Sequence, residues 1–298
     1  MLYNNDALAI VLLCSKIGYN DENPPLTENE WFKLSNALEK AELTPADLLN
    51  FDEAECAFSL KVPEDKAKRL CMRIRNSDNL LSETAALDAL GVKIITQADA
   101  DFPKRLIAKL KEECPPLLYY TGNIGLANAE SCAVLGSRNY LECDIGFAKQ
   151  ISERLINNEY IIATGGGSGI DREVERFTYK HNGCVIQYCA GDIMKSMHDP
   201  FYSEQLEKRS LLMLSTVTPR AEFSLEYARR RNKLIYANSK YAFLVNATSG
   251  RVTYTGAKEA LEKQLCEVYC WNNPAYKGNL ELIDFGAKPV NAVVRDSK

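Results

Sequence analysis

The sequence predicts an α/β protein in which a doubly wound, mostly parallel sheet follows a small all-helical domain. Three observations carry this. From residue 131 onward, short apolar runs of strand length alternate with helix-length amphipathic stretches, the pattern of parallel strands joined by crossover helices. The first ninety residues show helix caps and helical spacing instead. The length of 298 residues is at the upper end of what one hydrophobic core serves, so two domains are expected. The boundary is read at 88/89: a helical domain over 1–88 and the sheet domain over 89–298, with 89–128 as its connecting extension.

In order along the chain, Ala7 to Cys14 is the longest early apolar run. It is too short to span a bilayer and has Asp6 before it rather than a basic segment, so no membrane span or secretion signal is expected. Thr27 with Glu30 makes a capping box ahead of Trp31, Leu34 and Leu38, and Thr44-Pro45 is a second cap-then-proline start continuing through Asp47, Leu48 and Leu49. Val62-Pro63 opens a third helix through Leu70, and Ser82 to Leu90 forms a fourth, giving a bundle of four or five helices. The period then changes. Val92 to Thr96 reads as a strand, Asp101-Phe102-Pro103 leads into a helix ending before Pro115-Pro116, and Leu117 to Tyr120 is extended. Six strands follow, at Ser131–Leu135, Tyr160–Thr164, Cys184–Cys189, Leu211–Ser215, Tyr241–Asn246 and Glu267–Tyr269, with helices between them. In the first of those helices Ile145, Ala148, Ile151 and Leu155 repeat at the spacing that covers a sheet face.

Composition narrows the function. Hydrophobic residues at 46% and charged residues at 26% are ordinary globular values. Ten cysteines are scattered without a CxxC pair, which fits reduced, buried thiols in a cytoplasm, and no metal or cofactor is expected. Only two histidines, His181 and His198, are present, so Ser-His-Asp or Cys-His hydrolysis is disfavoured. The net charge of −4 hides an asymmetry: residues 1–100 hold 10 basic and 17 acidic side chains, the remainder 26 and 23. The C-terminal part is the better place for a polyanion.

In an open parallel sheet, ligands bind beyond the carboxyl ends of the strands, near the point where strand order reverses. After the first of the six strands comes Gly136-Ser137-Arg138, after the second Gly165-Gly166-Gly167-Ser168-Gly169-Ile170-Asp171, and after the fifth Asn246-Ala247-Thr248-Ser249-Gly250. Glycines let a backbone approach a ligand closely, and their N–H groups beside a helix N-terminus form an anion cradle. The run matches neither GxGxxG in its dinucleotide position nor GxxxxGK[ST], against ordinary NAD binding and P-loop hydrolysis. The cluster Arg229-Arg230-Arg231-Asn232-Lys233 is a second candidate, because guanidinium groups suit phosphate and the run lies in the basic half. Its competing reading is a solvated helix face. Tyr227, Tyr236 and Tyr241 flank it as candidate base-stacking rings or as helix-to-sheet packing.

Together these residues resemble a family. Pro115-Pro116-Leu117-Leu118-Tyr119, Gly122-Asn123, Ala133-Val134-Leu135-Gly136-Ser137-Arg138, Gly169-Ile170-Asp171, Arg230-Arg231-Asn232-Lys233-Leu234-Ile235, Ser249-Gly250, and Gly278-Asn279 with Leu282-Ile283 and Gly286-Ala287 are similar in order and spacing to the DprA (Smf) DNA-processing proteins, from about residue 91 to 290. The resemblance implies a Rossmann-like domain that binds single-stranded DNA as a homodimer and hands it to the RecA recombinase in natural transformation and recombination. It also implies that residues 1–85 form a sterile-alpha-motif-like (SAM-like) helical domain. By the same resemblance Gly136, Ser137 and Arg138, the loop Gly165, Gly166, Gly167, Ser168 and Gly169, and Ser249 with Gly250 contact DNA phosphates. Arg230, Arg231 and Lys233 hold the strand, and Asp171 and Asn232 order the loops. No catalytic residue and no winged-helix module are expected.

The chain departs from the family at Val174-Glu175, where an alanine-histidine pair is usual, and over Glu222 to Tyr227, which lacks His-Phe-Pro character. A second reading of the same scaffold is a nucleotide-binding sensor or an N-glycosidic phosphoribohydrolase using Glu173 and Glu175. The proline-glycine-glycine-x-glycine-threonine run of such enzymes has no counterpart in Ala247-Thr248-Ser249-Gly250-Arg251.

Overall fold

The computed structural model describes residues 3–17, 23–75 and 77–292, and its chain divides into two compact units, Met1–Tyr120 and Thr121–Lys298.

In the first unit the early apolar run is helix α1 (Asn5–Cys14), capped by the Asn4 side chain and buried at nearly every position from Ala7 to Cys14. It is the hub of the bundle, and none of the described helices is long and apolar enough to cross a membrane. Helix α2 (Glu28–Lys40) begins at the Thr27/Glu30 capping box and buries Trp31, Leu34 and Leu38, as the spacing predicts. The Thr44-Pro45 start yields only a 3-10 segment, Pro45–Leu49. Helix α3 (Glu53–Leu60), capped by Asp52 with Glu55, is an addition to the sequence reading. Helices α4 (Glu64–Arg75) and α5 (Ser77–Ala89) run longer than read.

Strand β1 (Lys93–Thr96) pairs antiparallel with β2 (Leu117–Gly122), across the short helix α6 (Lys104–Leu110). Residues 89–120, which the sequence suggests as the start of the sheet domain, fall within this compact unit. The reason is specific contacts to the helices: Trp31 Nε1 donates to Gln97 Oε1 at 2.9 Å, and the Ser15 and Tyr119 hydroxyls lie 3.3 Å apart.

The second unit runs β3 (Ser131–Leu135), α7 (Glu142–Asn157), β4 (Ile161–Thr164), α8 (Ile170–Lys180), β5 (Val185–Cys189), α9 (Ile193–Met197), α10 (Pro200–Glu207), β6 (Leu211–Ser215), α11 (Leu225–Asn238), β7 (Tyr241–Leu244), α12 (Val252–Glu262), β8 (Glu267–Trp271), α13 (Lys277–Asp284) and β9 (Lys288–Val290). These strands lie in the order β6-β5-β4-β3-β7-β8-β9 and are mutually parallel. Order reverses between β3 and β7, which makes a doubly wound, Rossmann-like sheet.

Every residue of β3, β5 and β6 is buried, the condition of strands covered on both faces, and it explains why these runs are apolar without alternation. At the centre Ala133 faces Ala163 on one side and Ala242 on the other, and all three are fully buried. Small side chains in register there let helices approach the sheet closely. Helix α7 buries Ile145, Ala148, Ile151 and Leu155, the stripe read from the sequence.

Candidate nucleic-acid interface

A cavity of about 530 Å³ opens at the carboxyl ends of β3 to β6. Its wall is made by Arg138 after β3, Gly165 to Ser168 after β4, Gln187 and Cys189 of β5 with Ala190 and Gly191 beyond it, Asp192, Lys195 and Ser196 of the α9 region, 220–223 after β6, and Arg231 of α11. Four side chains among these are cations: Arg138, Lys195, Arg220 and Arg231. Two are carboxylates, Asp192 and Glu222, and Asp192 is engaged in capping α9, its Oδ1 accepting from the Lys195 N–H at 3.0 Å. Arg138 and Phe223 meet at the rim, with the guanidinium 5.7 Å from the ring centroid and the ring 53% exposed.

Behind the wall stands Asp171. Its carboxylate accepts from the backbone N–H of Gly136 at 3.4 Å, of Gly165 at 3.2 Å, and also of Gly167. Enclosure pushes this carboxyl up from its usual range, and Arg231 and the three amides act against that. Arg231 in turn donates to the carbonyls of Gly165 and of Tyr188, the latter at 2.7 Å, and desolvation holds its guanidinium below the usual arginine range. One aspartate and one arginine thus tie three strand ends together.

That arrangement changes the role of the glycine loops. The amides of Gly136, Gly165 and Gly167 are spent on Asp171, and that of Gly166 on Thr164 Oγ1 at 3.4 Å. They do not form the open phosphate cradle expected from the sequence. The glycines are required by packing: a Cβ on Gly136 would stand 2.6 to 2.8 Å from the Ile170 side chain, and Gly166, at φ +63°, presses on the Gln187 amide. The positive charge on this wall is carried by the side chains of Arg138, Lys195, Arg220 and Arg231. Lys195 and Arg220 were not among the residues picked from the sequence, although both follow strand ends.

The basic run splays around α11, as consecutive helical residues must. Arg231 alone of Arg230, Arg231 and Lys233 lines the cavity. Arg230 pairs with Glu226 at 3.1 Å on the exposed face, and Lys233 with Glu259 of α12 at 3.0 Å. Asn232 donates to the Val252 carbonyl at 3.3 Å; it anchors α12 and does not order the glycine loops. Ser249 and Gly250 lie apart from the cavity. Ser249 Oγ donates to Glu281 at 2.7 Å, and Gly278 abuts the Ala247 carbonyl, where a Cβ would be 2.3 Å away.

The switch point itself is filled. The Ser137 N–H donates to Asn246 Oδ1 at 2.5 Å, and Asn246 Nδ2 donates to Asp144 at 2.9 Å and to the Asn139 carbonyl at 3.4 Å. Tyr276 completes the set by donating to Asp144. Glu173 pairs with Arg176 at 2.9 Å, and Glu175 is fully buried, receiving Thr164 Oγ1 at 2.6 Å and the Tyr202 hydroxyl at 2.8 Å. Neither carboxylate lines the cavity, so the residues that a hydrolytic reading needs are elsewhere.

No curated protein matches the sequence. DNA processing protein A from Streptococcus pneumoniae has a similar crystal structure, with TM-score 0.72 and 18% identity over 97% of this chain and 95% of that one. The Helicobacter pylori protein, whose structure concerns a single-stranded DNA binding mode, aligns with TM-score 0.56 and 18% identity over 66% of this chain and 90% of its own. These two likenesses establish the fold. The profile of the DNA recombination-mediator protein A family covers residues 93–296, more than half of the sequence, and the chain belongs to that family.

Proposed function

We propose that this protein binds single-stranded DNA along the carboxyl edge of β3 to β6, acting by binding rather than catalysis. It holds the strand for transfer to the RecA recombinase, as a homodimer in the cytoplasm, in natural transformation or recombination. The observation that carries the reading is the cavity wall, where Arg138, Lys195, Arg220 and Arg231 surround one concave surface with Phe223 at its rim. Guanidinium and ammonium groups neutralise phosphates whatever the base, and an exposed ring beside a cation offers a sequence-tolerant stacking face. Family membership and the likeness to the Helicobacter pylori protein support the same ligand class.

The test is fluorescence anisotropy of a labelled oligothymidine with the purified full chain at low and high salt, against duplex of equal length and mononucleotides as competitors. Tight binding that weakens steeply with salt and resists both competitors is the expected result. Displacement by a mononucleotide would replace the reading with a nucleotide sensor, and absence of binding at low salt would end it. Adding RecA to the preformed complex and following filament formation tests the transfer step, and sedimentation tests the dimer.

A further inference from the structure

We propose that Glu175 is a positioning residue for the cavity, acting through Tyr202 to set which end of the Gln187 amide faces the bound strand; the proposal rests on the strand-binding reading above.

The geometry is a continuous relay from the interior to the cavity wall. With Glu175 ionised, Thr164 Oγ1 donates to Oε1 at 2.6 Å and the Tyr202 hydroxyl donates to Oε2 at 2.8 Å. The Tyr202 oxygen then has its lone pairs to offer, and Gln187 Nε2 donates to it at 2.5 Å. Gln187 Oε1 points the other way and accepts from the Cys189 thiol, whose Sγ lies 3.9 Å away. Both Gln187 and Cys189 line the cavity. In this state the amide end beside the cavity-lining Cys189 is an acceptor, which repels a phosphate oxygen.

Protonation of Glu175 reverses the chain. The carboxyl hydrogen on Oε2 needs an acceptor, and the Tyr202 oxygen is the atom in reach. Tyr202 must then send its own hydrogen elsewhere, and a half-turn of the Gln187 amide supplies Oε1 in place of Nε2. The end beside Cys189 is then the NH₂ group, with two N–H donors. Gly166 packs against the amide end, where a Cβ would stand 1.9 Å from Nε2, and the half-turn puts an oxygen in the place of that nitrogen without needing more room. One proton thus moves from solvent to Oε2, no other proton is gained or lost, and the cavity wall changes from acceptor to donor.

Burial pushes the Glu175 carboxyl up to about 7, so both states are populated near neutrality. The charged and titratable groups coupled to it are Asp171, Arg172 and Tyr179 on its own helix, Cys189 of β5, Tyr202 of α10 and Arg231 of α11. Of these, Tyr202 alone connects Glu175 by hydrogen bonds to a cavity side chain.

Two measurements on the full chain test this. In oligothymidine anisotropy from pH 5.5 to 8.5 at constant ionic strength, affinity should rise about tenfold as pH falls through 7, the worth of one hydrogen bond to a charged oxygen. Tyr202→Phe, which breaks the relay and leaves the carboxyl, should lose this dependence. Glu175→Gln should bind equally across the range, at the parent's low-pH affinity. The same pH dependence in Tyr202→Phe as in the parent would overturn the proposal. The second readout needs no ligand: the side-chain NH₂ resonance of Gln187, followed by NMR, should titrate near pH 7 in the parent and stay fixed in both variants. A resonance that does not move refutes the relay, whereas a moving resonance with no oligothymidine binding refutes only the strand-binding reading.

Discussion

Glu175 also makes a prediction about stability, independent of any ligand. Its carboxyl is fully buried, and burial raises it from 4.5 to about 7. The folded state therefore binds the proton more tightly than the unfolded chain. The sign follows: the contribution is fully favourable below about pH 4.5, declines as pH rises, and is lost once pH passes about 7. Each pH unit of difference is worth about 1.4 kcal/mol, so the whole swing is about 3 kcal/mol. Glu175→Gln removes the titration and leaves the rest of the protein's ionisable groups in place, so the difference between parent and variant isolates it. Urea unfolding of both proteins at pH 5, 6, 7 and 8 is the assay. The variant should gain on the parent by about 2 to 3 kcal/mol between pH 5 and pH 8, most of it before pH 7.5. A parent-minus-variant difference that is flat over this range would refute the argument that desolvation dominates at Glu175.

Arg138→Ala and Arg220→Ala should each weaken oligothymidine binding by about tenfold and make the log–log salt slope shallower by about 0.7, with thermal midpoints unchanged. Arg231→Ala behaves differently, since it strips donors from the Gly165 and Tyr188 carbonyls and the cation from Asp171. It should destabilise the protein by about 3 kcal/mol in calorimetry or urea unfolding. Arg230→Ala and Lys233→Ala, whose partners Glu226 and Glu259 lie off the cavity, should change binding by less than about twofold. Gly136→Ala should cost about 1 to 3 kcal/mol by overpacking against Ile170, measured by urea unfolding, and Ile170→Val should recover part of that loss.

Much of the second unit was legible because its strands are buried on both faces. Ser131–Leu135 and Leu211–Ser215 are read with the same bounds that the structure shows. Strand β9 was not, because two of its three residues are exposed and the middle one is proline, which removes both the apolar run and the β signal. Helix α3 carries a readable Asp52/Glu55 box, but it buries only Cys56 and Leu60, and Phe58 stands in solvent, so its apolar residues do not mark one face. The 88/89 boundary follows the switch from helical to strand period, whereas the compact units part after Tyr120, with Trp31–Gln97 and Ser15–Tyr119 as contacts between residues distant in sequence. In the site, Arg138 and the glycine run followed from the strand-end rule. The direction of the basic run did not, because helical phase says that neighbours diverge and only packing decides which one points inward. Asp171 lies in a legible motif, but that its carboxylate would consume the loop amides depends on three strand ends meeting around it.

The filled switch point has a mechanical consequence. Asn246, Asp144 and Tyr276 act as a rivet through the middle of the sheet: parting β3 from β7 would strand several buried polar groups at once, each costing on the order of 1 to 3 kcal/mol. The two wings of the sheet are thereby locked as one plate, and a polymer cannot be gripped by hinging them. On the strand-binding reading, admission then falls to the lip, where Arg138 and Phe223, both exposed and on separate loops, meet.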